Sequence, residues 1–372
     1  MRILHFISRL IIGIVFMFSG FVKGIDPLGT AYKLEDYFYA FGMEWMLPTA
    51  LFLSILLSTA EFVMGVVVLF NLKPKVNSWL LLIMMLFFTG LTLNDAINNP
   101  VPDCGCFGDA IILTNWQTFY KNVFLLVFTF ILFFWRKKTK DQYNNLSAYG
   151  IAALFAIAFI SVNIYCYRHL PLMDFMDWKK GNKMYVENPV PIKYYLTYQN
   201  TATGETKEYL SPDYPFNDSV WMSQWEFVSQ RTENPNVFLG HDLQILDAEG
   251  NDYTETFIQN PGYQFLLITW NLEKSDEDAL KEMEPFALAA EADGHGFIAL
   301  TSTLDEEINR IKEKLGLTYE FYQADDITLK TMVRANPGLL LLKDGVVMDK
   351  WHYNDFPQYE AFKSSHPTAP TE

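Results

Sequence analysis

Leu47–Phe70 reads LPTALFLSILLSTAEFVMGVVVLF, an apolar run broken by a single charge, Glu61. A helix needs about twenty such residues to cross the hydrocarbon core of a bilayer. A chain in lipid must also satisfy its backbone polar groups internally, which favours a helix over this run. Working outward, four more runs of the same kind lie near Ile3–Phe21, Trp79–Leu93, Phe119–Trp135 and Ala148–Tyr167, the third extending back toward Val76. The first ends in Ser19-Gly20-Phe21-Val22-Lys23 without a small-X-small cleavage site, so it reads as a retained span rather than a signal peptide. Gly13, Gly20 and Gly65 read as points of close helix contact.

The remainder is chemically different. The chain of 372 residues has a net charge of −15, with 43 acidic against 28 basic residues, and most of the acid falls after residue 170. That balance excludes a phosphate-binding surface and hence nucleic acid as a partner. Basic residues in the short connections set the orientation. Arg2, Lys73, Lys75, Arg136, Lys137, Lys138 and Lys140 fall on one side if the N-terminus is cytoplasmic, while Asp26, Glu35, Asp36, Glu44, Asp95, Asp103 and Asp109 fall on the other. Five spans then place residues 171–372 outside the cytoplasm, in the periplasm if the membrane is a bacterial inner membrane. In the first outer loop Leu34, Tyr37, Phe38 and Phe41 recur at helical spacing. They predict a helix lying on the membrane surface or an extra core helix of the bundle.

Two charges fall inside the spans, Arg9 and Glu61. An unpaired charge in lipid is costly. At about 1.5 Å per residue the two differ in depth by about one helical turn, so an Arg9–Glu61 pair is expected, either as a helix lock or as part of a quinone or proton site. The second outer loop carries Asp103-Cys104-Gly105-Cys106-Phe107-Gly108-Asp109. Two thiols one glycine apart can close a very small ring, and a strained exposed disulfide is the reducible kind. The motif is therefore a candidate redox pair. A static disulfide pinning the loop is the alternative, and two thiolates without a nearby His make an incomplete zinc site. The third cysteine, Cys166, lies near the outer end of the fifth span. It reads as a resolving thiol or as a small apolar residue.

In the second half, Ile192–Tyr198 and Lys207–Leu210 flank Asn200-Thr201-Ala202-Thr203-Gly204 and predict a β-hairpin, with Trp221, Trp225 and Phe227 packing it onto the next domain. From Val237 the expected order is a strand at Asp242–Asp247, a buried strand Phe265–Trp270, a helix from a Ser275 cap to Ala292, a strand Phe297–Leu300 and a helix Leu304–Leu315. A third helix ends near Ala335, and a hairpin of Gly338–Lys343 and Val346–Trp351 closes through Asp344-Gly345. That order is α/β. No nucleotide, hydrolase or metalloprotease motif is present.

Spans one to four resemble the DoxX-like superfamily, specifically its MauE-like branch, through Arg9, Gly13, Ser19-Gly20, Lys23, Glu61, Gly65 and Cys104-Gly105-Cys106-Phe107-Gly108. The tail resembles the thioredoxin-like fold in its membrane-tethered, TlpA-like form, through the strand ending in Trp270 and the Asn336-Pro337 step, where that family has a cis-proline. The combination resembles a Bacteroidetes group. The resemblance implies four domains: a bundle over 1–137, a fifth tethering helix over 138–170, a β-rich transition over 171–236 and a thioredoxin-like domain over 237–372. Asn271 and Lys274 stand where a redox-active member has its two cysteines, so that domain lacks dithiol chemistry.

The resemblance also implies a redox role in disulfide exchange or protein maturation. Catalysis is expected at Cys104 and Cys106, with a quinone as the cofactor it suggests, although the residues themselves fix none. Asn336, Pro337 and Trp270 are expected to dock an extracytoplasmic polypeptide without reacting with it. The competing expectation is a structural subunit of a membrane complex. In either case the lipid bilayer is a partner, with a protein client or a neighbouring subunit as the second.

Overall fold

The computed structural model describes residues 2–139, 141, 143–185, 193–233 and 243–365. Lys140, Ile192, Val237 and Asp242, which figure in the expectations above, lie outside the described residues.

The first half is helical: α1 (Arg2–Ile25), α2 (Pro27–Ala40), α3 (Ala50–Leu69), α4 (Pro74–Asn98), α5 (Asn115–Trp135) and α6 (Asn145–Arg168). Five of these are long and apolar enough to cross a membrane; α2 is the exception. Their outward faces carry large apolar side chains such as Phe52, Phe87, Phe124, Phe134 and Ile157, as suits contact with lipid. Four of the expected spans are longer in the structure. α1 runs to Ile25 and α4 starts at Pro74, where proline suits a first helical turn because its missing N–H would have no partner there.

α1 and α3 pack most closely of all the helices. A Cβ on Gly20 would fall inside contact distance of the Phe62 amide, and one on Gly65 would lie 2.5 Å from the Met17 amide. Small residues let the backbones meet, which is how packing holds helices together in lipid. α2 is neither wholly surface nor wholly core. Asp26 caps its N-terminus by accepting from the Gly29 amide at 2.8 Å, Thr30, Ala31, Tyr37 and Phe38 turn inward over α3, and the rest stays accessible.

The second half holds two sheets. β1 (Lys193–Asn200), β2 (Thr206–Leu210) and β3 (Trp225–Glu233) form an antiparallel sheet in the order β2-β1-β3, with α7 (Ser219–Gln224) leading into β3. Trp221 and Phe227 pack on Tyr198 of this same sheet and Trp225 stacks on Trp221, not on the following domain as expected. The third strand takes them there, since it pairs along the whole of β1.

The larger sheet comprises β4 (Tyr263–Ile268), β5 (Gly296–Thr301), β6 (Phe321–Gln323), β7 (Gly338–Lys343) and β8 (Val346–His352), in the order β6-β5-β4-β7-β8. β4, β5 and β6 are parallel, and β7 and β8 run antiparallel beside them. Side chains alternate along a strand, so the unbroken apolar run of β4 feeds two cores. Phe265 and Leu267 face α9 (Glu277–Ala292), α10 (Asp305–Leu315) and α12 (Tyr359–Ser365). Leu266 and Ile268 face α8 (Thr254–Ile258), α11 (Asp326–Met332) and the segment that follows α6, whose Trp178 is fully buried. That segment hydrogen-bonds along the closing hairpin, Gly181 N donating to Val347 O at 2.8 Å and Met184 N to Gly345 O at 2.7 Å.

Two local expectations are corrected. The helix after β4 is capped by Asp276, which accepts from the Ala279 amide at 2.9 Å; Ser275 is turned inward instead. Leu243–Asp247 forms no strand, only bridges from Leu246 to Asp252 and Gln323, because Asp247 folds the chain back through bonds to the Glu249 and Asn251 amides.

Candidate functional site: the Cys-X-Cys loop and the cavity beneath it

The loop between α4 and α5 turns at Gly105, whose φ of +60° lies in the left-handed region that glycine enters without a Cβ penalty. Asp103 Oδ1 accepts from the Gly105 amide at 2.9 Å and fixes the turn. The Cys104 and Cys106 sulfurs lie 2.7 Å apart as free thiols. Three ties hold the loop. Lys33 of α2 pairs with Asp103 at 2.8 Å, Ser19 of α1 reaches the Cys106 carbonyl at 2.7 Å, and Arg334, from the loop before β7, pairs with Asp109 at 2.7 Å.

Beneath the loop is a cavity of about 470 Å³, walled by apolar side chains of α1, α2, α3, α4 and α5 such as Phe16, Leu57, Met85, Phe88 and Leu125. Such a volume suits a drug-sized apolar molecule. Its few polar groups gather near the thiols: Lys23, Glu61, Ser19, Lys33 and Lys121.

Glu61 does not pair with Arg9. Lys23 Nζ lies 2.7 Å from Glu61 Oε1 and 2.8 Å from Oε2, and Ser19 Oγ lies 2.8 Å from Oε2. Arg9 instead turns to the C-terminal end of α3, donating from Nε to the Val68 carbonyl at 3.1 Å and from Nη2 to the Leu69 carbonyl. Those carbonyls carry the negative end of the helix dipole and no intrahelical partner, so a guanidinium suits them. Lys23 and Glu61 are buried together, where each needs the other. Near them, Tyr37 of α2 donates to the fully buried Asp95 of α4 at 2.7 Å. Burial and that bond push the Tyr37 phenol up, keeping it a donor.

The two thiols are unequal. Cys106 is held down to about 6, first by the hydrogen bond from Cys104 and then by the charges of Lys121 and Lys23, against the opposing effects of burial and Glu61. Cys104 is pushed up by its bond to Cys106 and by burial. Cys106 is thus the sulfur that its surroundings favour as the thiolate. A thiolate is the form that attacks, and the better leaving group from a disulfide. Cys166 is buried in α6 and is not among the residues lining the cavity.

In the α/β half, polar groups link the segment after β4 to the loop before β7. Asn271 Oδ1 accepts from the Lys274 amide at 3.0 Å, Asn336 Nδ2 donates to the Asn271 carbonyl at 2.8 Å, and Ser275 Oγ lies 3.0 Å from Asn336 Oδ1. The Asn336-Pro337 bond is cis. Trp270, beside these groups, packs on the chain's own helical half. Trp270 meets Tyr32 of α2 edge-on at 6.1 Å, Lys330 lies over both rings, and Arg334 joins Asp26 to Asp109. Aromatic area and opposite charges thus hold Trp270 and Arg334 to the helical half.

Sequence reasoning missed Lys23, Lys121, Tyr37–Asp95 and Arg334 as parts of the site. Lys23 gave a signal, a lysine four residues after Ser19 on the same helix face; Arg334 gave none, its partners lying 308 and 225 residues away.

Searches of curated proteins and of solved structures return no match. Residues 1–135 match the family model described as Methylamine utilisation protein MauE. Residues 1–135 of this chain are therefore a MauE-like membrane domain, followed by α6 and an α/β region with sheets.

Proposed function

We propose that the protein is a membrane thiol–disulfide module that oxidises client thiols through Cys104 and Cys106, the MauE-like domain acting as an accessory to the maturation of other proteins. The observation that carries this is a paired thiolate and thiol set over an apolar cavity with two lysines beside the thiolate. In the oxidised form a client thiolate attacks Cys104 Sγ. The Cys104–Cys106 bond breaks, and Cys106 leaves as the thiolate that its surroundings stabilise. The client's second thiolate then attacks its own sulfur in the mixed disulfide, and Cys104 leaves. The client has gained one disulfide, and the module holds two reduced sulfurs. Reoxidation passes two electrons and two protons to a lipid-soluble acceptor of the quinone class, for which the cavity has the size and apolar walls.

In this reading the N-terminus is cytoplasmic, the dithiol loop is extracytoplasmic in a bacterial inner membrane, and the α/β domain is a thioredoxin-like fold that has lost its own chemistry. The strand order β6-β5-β4-β7-β8, with a helix after β4, supports that fold. A static staple in an assembly subunit is the competing reading. The loop is already tied by Lys33, Ser19 and Arg334, so a disulfide adds little as a fastener, which favours chemistry.

Mass-tag alkylation of native membranes across graded redox buffers tests the proposal. Cys104 and Cys106 should change state together; a pair that never does so ends the redox reading. Replacing both by Ser separates the alternatives, since normal abundance with lost function indicates chemistry and lowered abundance with normal function indicates a staple.

A further inference from the structure

Two of the three ties on the Cys-X-Cys loop arise inside the helical half, while the third comes from the α/β half. Arg334 is almost wholly buried, with its side chain 6% exposed. Its Nε donates to Asp26 Oδ2 at 2.9 Å and its Nη2 to Asp109 Oδ2 at 2.7 Å, while Nη1 donates to the Lys330 carbonyl one turn back. The guanidinium also lies 5.6 Å from the centre of the Tyr32 ring. Every bond is directional, and a planar fork can join two carboxylates from two segments as a point charge cannot. The joined segments are the N-terminal cap of α2, which also bears Lys33, and the residue three places beyond Cys106.

We infer that Arg334 is a positioning residue for the Cys104–Cys106 pair, and that the thiol-free α/β domain serves as a tethered clamp which completes the dithiol site in cis. This rests on the dithiol chemistry proposed above. It gives the domain a role that needs no thiols of its own: it reaches the loop through Arg334, two residues before Asn336. Freed from Arg334, the loop keeps Lys33 and Ser19 but loses the tie on its α5 side, so Cys106 drifts from Lys121 and from Cys104.

The test uses full-length protein, reduced and in detergent, with the rate of iodoacetamide modification at Cys106 followed by peptide mass spectrometry from pH 5 to 9. Arg334→Lys keeps the charge and removes the fork, and Asp109→Asn removes the loop-side charge, and with it the ion pair, with little change in size. Each should slow modification at pH 6.5 by about fivefold, through a smaller thiolate fraction, and move the profile to higher pH. Asp109→Asn covers the case in which the Arg334 variant does not fold. A wild-type profile with a neutral-pH thiolate that either folded variant leaves unchanged overturns the clamp and leaves the dithiol chemistry standing. A wild-type profile with no thiolate near neutral pH overturns both.

Discussion

The hydrogen bond between the two thiols holds Cys106 down and pushes Cys104 up, and the charges of Lys121 and Lys23 add to it at Cys106. With its thiol held down to about 6, Cys106 is ionised above that pH and protonated as the pH falls through it. In reduced protein, alkylation of Cys106 should plateau above neutrality and fall about tenfold for each pH unit well below its midpoint, while Cys104 should stay nearly unreactive until strongly alkaline pH. Replacing Cys104 by Ser should raise the Cys106 midpoint, since a hydroxyl at that place is a different donor. Lys23 and Glu61 make a second prediction. Lys23→Met strands a buried carboxylate and should cost about 3–5 kcal/mol, read as a lowered Tm in detergent, whereas adding Glu61→Leu should recover most of it. The sequence shows Glu61 plainly as a charge in an apolar run. Its partner is misread because depth along the membrane says nothing about which way a side chain faces, and because ending the first span at Phe21 puts Lys23 outside it.

At the scale of elements, α1 and α3 meet through Gly20 and Gly65, and α2 is tied down by Tyr37. Gly20→Val has no room against Phe62 and should destabilise the bundle by at least about 1–3 kcal/mol, visible as a drop in Tm and in yield. Tyr37→Phe leaves Asp95 without its donor and should cost about 1–3 kcal/mol by the same measurement. The glycine contacts and the spans are legible in the sequence because hydrophobic length and small residues are local signals. The strands β4, β5, β7 and β8 are legible for the same reason, as apolar runs bounded by turn residues. β3 is not, because Glu226, Ser229 and Gln230 break any alternation that would mark it, and only pairing with β1 makes it a strand. The Asp276 cap is missed by one residue, since Ser275 has equal local propensity and only its inward bond to Asn336 removes it from the terminus.

Taken whole, the molecule places the dithiol loop, α2 and the α/β domain at one end of the bundle, with Asn354 donating to the Arg168 carbonyl at 2.7 Å and His169 meeting Asp355 at 2.8 Å where α6 hands over to the rest. Lys73, Arg136 and Lys138 lie beyond the opposite ends of the spans. A membrane-impermeant maleimide should therefore modify a cysteine placed at Ser364 and the loop thiols from the same side of sealed vesicles, and one at Lys75 only from the other side. Labelling of Ser364→Cys and Lys75→Cys from a single side contradicts the five-span arrangement. None of the contacts between the halves is legible beforehand, because ion pairs and ring contacts across hundreds of residues leave no pattern in the chain.

The bond from Asp26 to Arg334 spans 308 residues, the first partner lying at the foot of α1 and the second in the last third of the chain. At about 5–20 residues per second a ribosome needs about 15–60 s to travel from one to the other. For the later part of that interval, the about 11–45 s between Asp109 and Arg334, the loop has its thiols made and its outer tie absent. A truncated or stalled product thus displays a dithiol loop that differs from the finished one, and proteolysis timed against synthesis should find Asp103–Asp109 cleavable early and protected only once the final hairpin has emerged.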